Sequence, residues 1–169
     1  MSTEASNLFE AVAVGTGATL LMDIWNFYLK RAFGIASLNY CFLGRWLRYM
    51  PEGTFRHASI TAALPKSHEC IVGWAAHYTT GILFSVVFVM AFASADWLAR
   101  PTLPPALLYG IVTVVFPFFI LQPALGLGVA SSRTAKPGQA RLKSVGTHAI
   151  FGLGMYLCAA GLSWATRST

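Results

Sequence analysis

Residues 70–93 read CIVGWAAHYTTGILFSVVFVMAFA, 24 residues without a single Asp, Glu, Lys or Arg. Membrane hydrocarbon is ~30 Å thick and a helix rises ~1.5 Å per residue, so about 20 apolar residues cross it. β-branched and aromatic residues are frequent in the run. In lipid this does not argue for a strand, because an open sheet would leave backbone groups without partners. The run is therefore read as a membrane-spanning helix.

Three further runs of the same kind surround it, at about Leu8 to Leu29, Ala106 to Gly128 and Ser144 to Ala165. The breaker sequence Pro101-Thr102-Leu103-Pro104-Pro105 introduces the third. Only 11% of the 169 residues are charged and 56% are hydrophobic, whereas a soluble domain carries about 25% charged residues. The expected fold is all-α: one integral membrane domain over residues 1–169, built as a four-helix bundle. The first ten residues contain no Lys or Arg and include Glu4 and Glu10. That does not fit the positive start of a cleaved signal, so the first run is expected to persist as a helix.

Lys and Arg counts set the orientation. The loop between the first two spans carries Lys30, Arg31, Arg45, Arg48, Arg56 and Lys66, and the loop between the last two carries Arg133, Lys136, Arg141 and Lys143. These are 10 of the 12 basic residues. Basic loops stay in the cytoplasm, so both termini are expected outside, with membrane lipid as the surrounding partner. The formal charge of +6 is read as a topology signal beside anionic headgroups rather than as a nucleic-acid surface.

The first loop is too long for a plain connector. Its segment Ser37 to Met50, SLNYCFLGRWLRYM, is expected to form a short helix on the inner leaflet. Ser37 would cap it, Arg45, Trp46 and Arg48 would meet headgroups, and Pro51 and Gly53 would end it. Cys41, Cys70 and Cys158 form no CxxC or zinc spacing. The first two fall on the cytoplasmic side, so no disulfide is expected.

The informative residues are the polar ones inside the spans: Asp23 and Asn26 in the first, His77 in the second, Gln122 in the third and His148 in the fourth. Counted at ~1.5 Å per residue from the basic ends of their runs, Asp23, His77, Gln122 and His148 lie ~7–12 Å deep, in one layer near the cytoplasmic side. Their helix faces are also alike. The rows Ala11-Gly15-Thr19-Asp23, Gly73-His77-Gly81 and His148-Gly152-Met155-Ala159 are mostly small residues, which line surfaces where membrane helices approach closely. Pro117 and Pro123 flank Gln122 and should kink its helix.

An acid inside a membrane marks a functional site by default. Three readings fit the layer. The first is proton-linked transport or permeation of a small solute, with Asp23 and a histidine exchanging protons and Asn26 and Gln122 completing the site. The second is a metal or haem site, in which His77, His148 and Asp23 supply N, N and O ligands for Zn or Fe, or the two histidines hold a haem axially. The third is an accessory subunit of a larger membrane complex. A homodimer is a further expectation, because four helices make a thin wall around any cavity. The sequence names no cofactor. It contains no GxSxG, Walker loop or dinucleotide fingerprint, so the reading leans away from an enzyme and leaves the question open.

Gly15 to Asn26 (GTGATLLMDIWN), Gly44-Arg45-Trp46, Gly73 to Tyr78 (GWAAHY) and Gly146-Thr147-His148 resemble a bacterial family of small four-helix inner-membrane proteins known only as a domain of unknown function. The resemblance spans most of the chain. It implies a bacterial inner-membrane location, supplies no substrate, and points again to Asp23, His77 and His148.

Overall fold

The computed structural model describes residues 3–167; Met1, Ser2, Ser168 and Thr169 lie outside the described residues. All regular structure in that range is helical. Four helices are long and apolar enough to cross a membrane: Ala5–Phe33, Glu69–Ala93, Leu103–Ala124 and Pro137–Arg167. In each, only 22–28% of the most apolar window is buried inside the protein. The rest of that apolar surface faces outward, which water would not tolerate and lipid would.

The first span is α1 (Thr3–Phe33), and the loop helix is α2 (Tyr40–Tyr49). Asn39, not Ser37, caps α2, its side chain accepting from the Cys41 amide at 3.0 Å. The second span is α3 (Glu69–Val87), prolonged by a π-helical stretch at Phe88–Ala93 and by the short α4 (Ser94–Ala99). The third span is broken. It starts as α5 (Leu103–Val112), with two prolines in its first turn where missing amides cost nothing, and resumes as a π-helical stretch at Pro117–Leu121 that ends in α6 (Gln122–Ala124). The fourth is α7 (Pro137–Arg167), which begins seven residues before the apolar run, with Pro137 at its start and Arg141 and Lys143 in its first turns.

Helix α1 packs against both α3 and α7, α5 packs against α7, and α2 lies across the start of α3. Gly15, Gly73 and Gly152 of the expected small-residue faces carry part of these contacts, and Ala18, Gly44, Gly110 and Gly154 carry others. A Cβ on Gly15 would fall 2.8 Å from Ile82 Cα, one on Gly154 2.8 Å from Ala18 Cα, and one on Gly110 2.5 Å from Gly152 Cα. The α2–α3 crossing is closest, because a Cβ on Gly44 would sit 1.7 Å from Glu69 O and one on Gly73 1.8 Å from Tyr40 O. Polar bonds add to the packing, with Ser85 Oγ donating to Ala11 O at 2.8 Å between α3 and α1.

Two findings about the first loop differ from expectation. Cys41 and Cys70 form a disulfide. Sequence spacing gave no hint of it, because the pair meets only once the two glycines let α2 lie directly on α3. Arg45 and Trp46, expected at headgroups, are buried, each 7% exposed. Arg45 Nη2 and Nε donate to Glu69 at 2.7 and 2.8 Å, and Nη1 donates to the carbonyls of Ile60 and Ala63 at 3.1 and 2.9 Å. Trp46 Nε1 donates to Phe55 O at 2.8 Å. Arg45 is thus the pin around which the loop folds, and the loop in turn reaches the end of the third span, where the amides of His57 and Ile60 donate to Ala124 O and Leu125 O. Arg48 stays exposed and reaches only Ser67 Oγ, at 3.2 Å.

Candidate functional site

Two layers divide the bundle along its length. The half away from the loops is dry packing of residues such as Val14, Phe88, Trp97 and Met155. The loop-side half encloses a cavity of about 940 Å³ between α1, α2, α3, the third span and α7. The cavity forms where α3 and the third span stand apart. Phe84, Phe116 and Phe151 close its inner end, with Phe84 meeting the other two edge-on at centroid distances of 6.1 and 6.5 Å. Leu43, Trp46, Ile60, Leu121 and Leu125 supply apolar wall from the loop side. Its rim includes the exposed residues Ile35, Ala36, Asn39, Lys136 and Gln139.

Four of the five intramembrane polar residues, Asn26, His77, Gln122 and His148, line this cavity. Asp23 does not. It stands behind His77, whose Nε2 lies 3.0 Å from Asp23 Oδ1. With the carboxylate charged, the imidazole must be the donor, so its remaining lone pair is on Nδ1. Tyr40 Oη donates to the same Oδ1 at 3.2 Å, and the Tyr40 ring stacks on the His77 ring with centroids 3.9 Å apart. Tyr40 comes from α2, so the loop helix completes the site. Burial, then the neighbouring Asp23 carboxylate, push the Tyr40 phenol well above its ordinary range, and it remains a donor. Asp23 Oδ2 is buried and has no hydrogen-bond partner among the described residues.

His148 is fixed by the break in the third span. Pro117 has no amide, so Thr113 O accepts from Phe116 N instead, at 3.1 Å, and Val114 N turns to Ile111 O. Gly110 O is thereby free of Val114 N and accepts from Thr113 Oγ1 at 2.6 Å. His148 Nδ1 is 2.7 Å from that same hydroxyl oxygen. The hydroxyl has one proton. With it given to Gly110 O, Nδ1 must donate and Nε2 is left as an acceptor. Gln122, in the resumed part of the span, accepts from Ser131 Oγ at 2.9 Å and donates to Ser144 Oγ at 3.4 Å. Thr147 Oγ1 donates to Asn26 Oδ1 at 3.4 Å, tying α7 to α1.

The geometry therefore unites the layer around one space but gives its members unequal parts. Asp23, His77 and Tyr40 form a connected triad. His148 and Gln122 are held separately on the opposite helices. Among the described residues no three His, Cys, Asp or Glu side chains come together as a group that could hold a metal ion, so His77, His148 and Asp23 are not assembled as ligands. Sequence reasoning missed Tyr40 and Thr113. Each meets its partner on a different element, Tyr40 with Asp23 and His77 and Thr113 with His148, so neither carries a local signal.

These features define a class, a four-span helical membrane protein with a mainly apolar cavity in one half that carries a few polar side chains on its wall. The family model described as protein of unknown function (DUF2938) matches residues 12–162, and the chain belongs to that family. No curated protein and no solved structure matches the chain.

Proposed function

We propose that this protein passes a small solute across the bacterial inner membrane in step with a proton, with both basic loops in the cytoplasm and both termini outside. The observation that carries the reading is the placement of His77. It stands on the wall of the cavity while its far nitrogen is held by a carboxylate that lies outside the lining.

The division of labour suits proton exchange. His77 Nδ1 takes a proton arriving through the cavity mouth. Asp23, already hydrogen-bonded to Nε2–H, stabilises the imidazolium that results, as the acid of a hydrolase triad does for its histidine. Tyr40 keeps Asp23 oriented through both states. The phenylalanine plug at the inner end separates this cavity from the opposite half, and the break at Thr113–Pro117 lies next to Phe116, where a small bending of the third span would move the plug.

The test uses the purified protein in liposomes that enclose a pH-sensitive dye. A panel of labelled small acids, amines and neutral solutes is imposed as gradients. At least one solute is expected to drive proton flux, and Asp23→Asn is expected to cut that flux ~100-fold, the scale on which positioned acid–base groups act. Solute-driven proton flux that is unchanged in Asp23→Asn overturns the reading.

A further inference from the structure

The charges around the cavity are one-sided. Among the described residues no Asp or Glu lines it, while Lys136 and Lys143 do, both at the rim. Of the acids at this end, two are ion-paired with Arg or Lys and the third, Asp23, lies outside the cavity lining. Glu69 is paired with Arg45 at 2.7 Å, Glu52 with Lys66 at 2.5 Å, and Asp23 is held by His77 behind the wall. Neither rim lysine forms an ion pair among the described residues. Lys143 donates to the Ala36 carbonyl, in the connection between α1 and α2, which fixes its ammonium across the mouth and leaves two of its three protons available. Beyond the rim the wall turns apolar and aromatic, through Leu43, Trp46, Leu121, Phe84 and Phe116. A volume of about 940 Å³ is at the upper end of the ~300–1,000 Å³ of sites that enclose one small molecule.

Cations at the mouth and an apolar interior describe an occupant with an anionic head and an apolar body. We propose that the ligand of this cavity is a single-chain anionic amphiphile, its head on Lys143 and Lys136 and its chain running inward toward the phenylalanine plug. The polar side chains of the lining, Asn26, His77, Gln122 and His148, come from four different spans and each has a hydrogen-bond partner of its own, so a chain passes among them without stranding a buried charge. The proposal rests on the cavity being the solute path, but it concerns binding alone and does not need proton coupling.

The probe is a fluorescent C16 carboxylate, titrated into the full chain in phosphatidylcholine nanodiscs, beside its alcohol and trimethylammonium analogues. The carboxylate is expected to bind ~10-fold or more tightly than the ammonium analogue, the worth of one charge-assisted contact. Lys143→Gln with Lys136→Gln should erase that preference while keeping binding of the alcohol, which also shows that the variant is folded. Thr80→Trp, placing a ring in the cavity, should abolish binding of all three. Equal or tighter binding of the ammonium analogue, an unchanged preference in the double-lysine variant, or displacement by phosphatidylglycerol as effective as by the carboxylate overturns the proposal. The two readings fail separately: the lysine-dependent preference of the unmodified protein decides the ligand assignment, and flux in Asp23→Asn decides proton coupling alone.

Discussion

At Arg45 a single side chain organises about twenty residues of loop. Its guanidinium satisfies Glu69 and two backbone carbonyls at once, and the hydrogen bonds to Glu69 hold it above its ordinary pKa. Arg45→Met takes away the charged partner of Glu69 and leaves it the Lys66 amide, and an under-satisfied charged group costs about 2 kcal/mol. The expected result is a lower thermal midpoint in detergent, recovered in part by adding Glu69→Gln, which removes the stranded charge. Tyr40 is a finer case. Tyr40→Phe keeps the stack on His77 but removes the donor to Asp23, so proton-linked flux should fall well short of the Asp23→Asn loss, with stability reduced by about 1 kcal/mol. The flux assay and thermal unfolding, run on the same preparation, separate the two effects. The contrast between these residues shows what a sequence can disclose. Asp23 and His77 were legible because a polar group amid apolar residues stands out whatever the tertiary fold. Arg45 was misread because an Arg beside Trp and Tyr has the same signature at a headgroup as in a buried pair, and only its distance from Glu69, 24 residues on, decides. Tyr40 was not legible at all, because its partner lies on another element.

At the level of elements, the third span shows how a backbone defect is converted into a site. Pro117 withholds one amide, the turn tightens at Thr113 and Val114, and the freed Gly110 carbonyl becomes the anchor of the Thr113–His148 pair. A kink near Gln122 was legible from the two prolines; its consequence for a histidine on another helix was not, since that needs the Gly110–Gly152 crossing that brings α5 onto α7. Pro117→Ala restores the amide and allows a regular helix. It is expected to raise stability by about 1 kcal/mol or more while slowing solute flux, because the plug residue Phe116 then sits in a stiffer segment. A variant that is stabilised with unchanged flux would remove the break from the mechanism. The four spans themselves were readable because length and absence of charge are sufficient in lipid, and their contact faces because small residues recur at i, i+4. The loop helix was readable as a helix, but its resting place was not. Gly44 and Gly73 admit α2 onto α3, and a close approach of two glycines from separate elements leaves no periodic trace.

For the whole molecule, two general rules point to opposite sides of the membrane. Ten of twelve basic residues lie at the cavity end, in the two connections and the helix ends that border them, and the proposed topology puts that end in the cytoplasm. The same end carries the Cys41–Cys70 disulfide, and disulfides persist mainly in oxidising compartments. The charge bias involves ten residues and acts during insertion, before the cysteines meet, so it should set the topology. The disulfide then becomes a bond that the cytosol keeps open and an oxidant closes. Three outcomes are expected. A reporter active only in the cytoplasm, fused after Thr169, stays dark. In growing cells, a membrane-impermeant maleimide added outside leaves Cys41 and Cys70 unlabelled, while a permeant one labels both. In the purified protein, air oxidation raises the thermal midpoint over that of Cys41→Ser with Cys70→Ser, and reductant removes the gain. Closing a loop with a sequence separation of 29 residues should stabilise by ~3–4 kcal/mol through the unfolded chain, provided that the unfolded state is free in detergent. A bright reporter at Thr169, together with a pair that is already oxidised in cells, would invert the bundle. The cavity would then open to the outside, and its rim lysines would select anionic amphiphiles from that face.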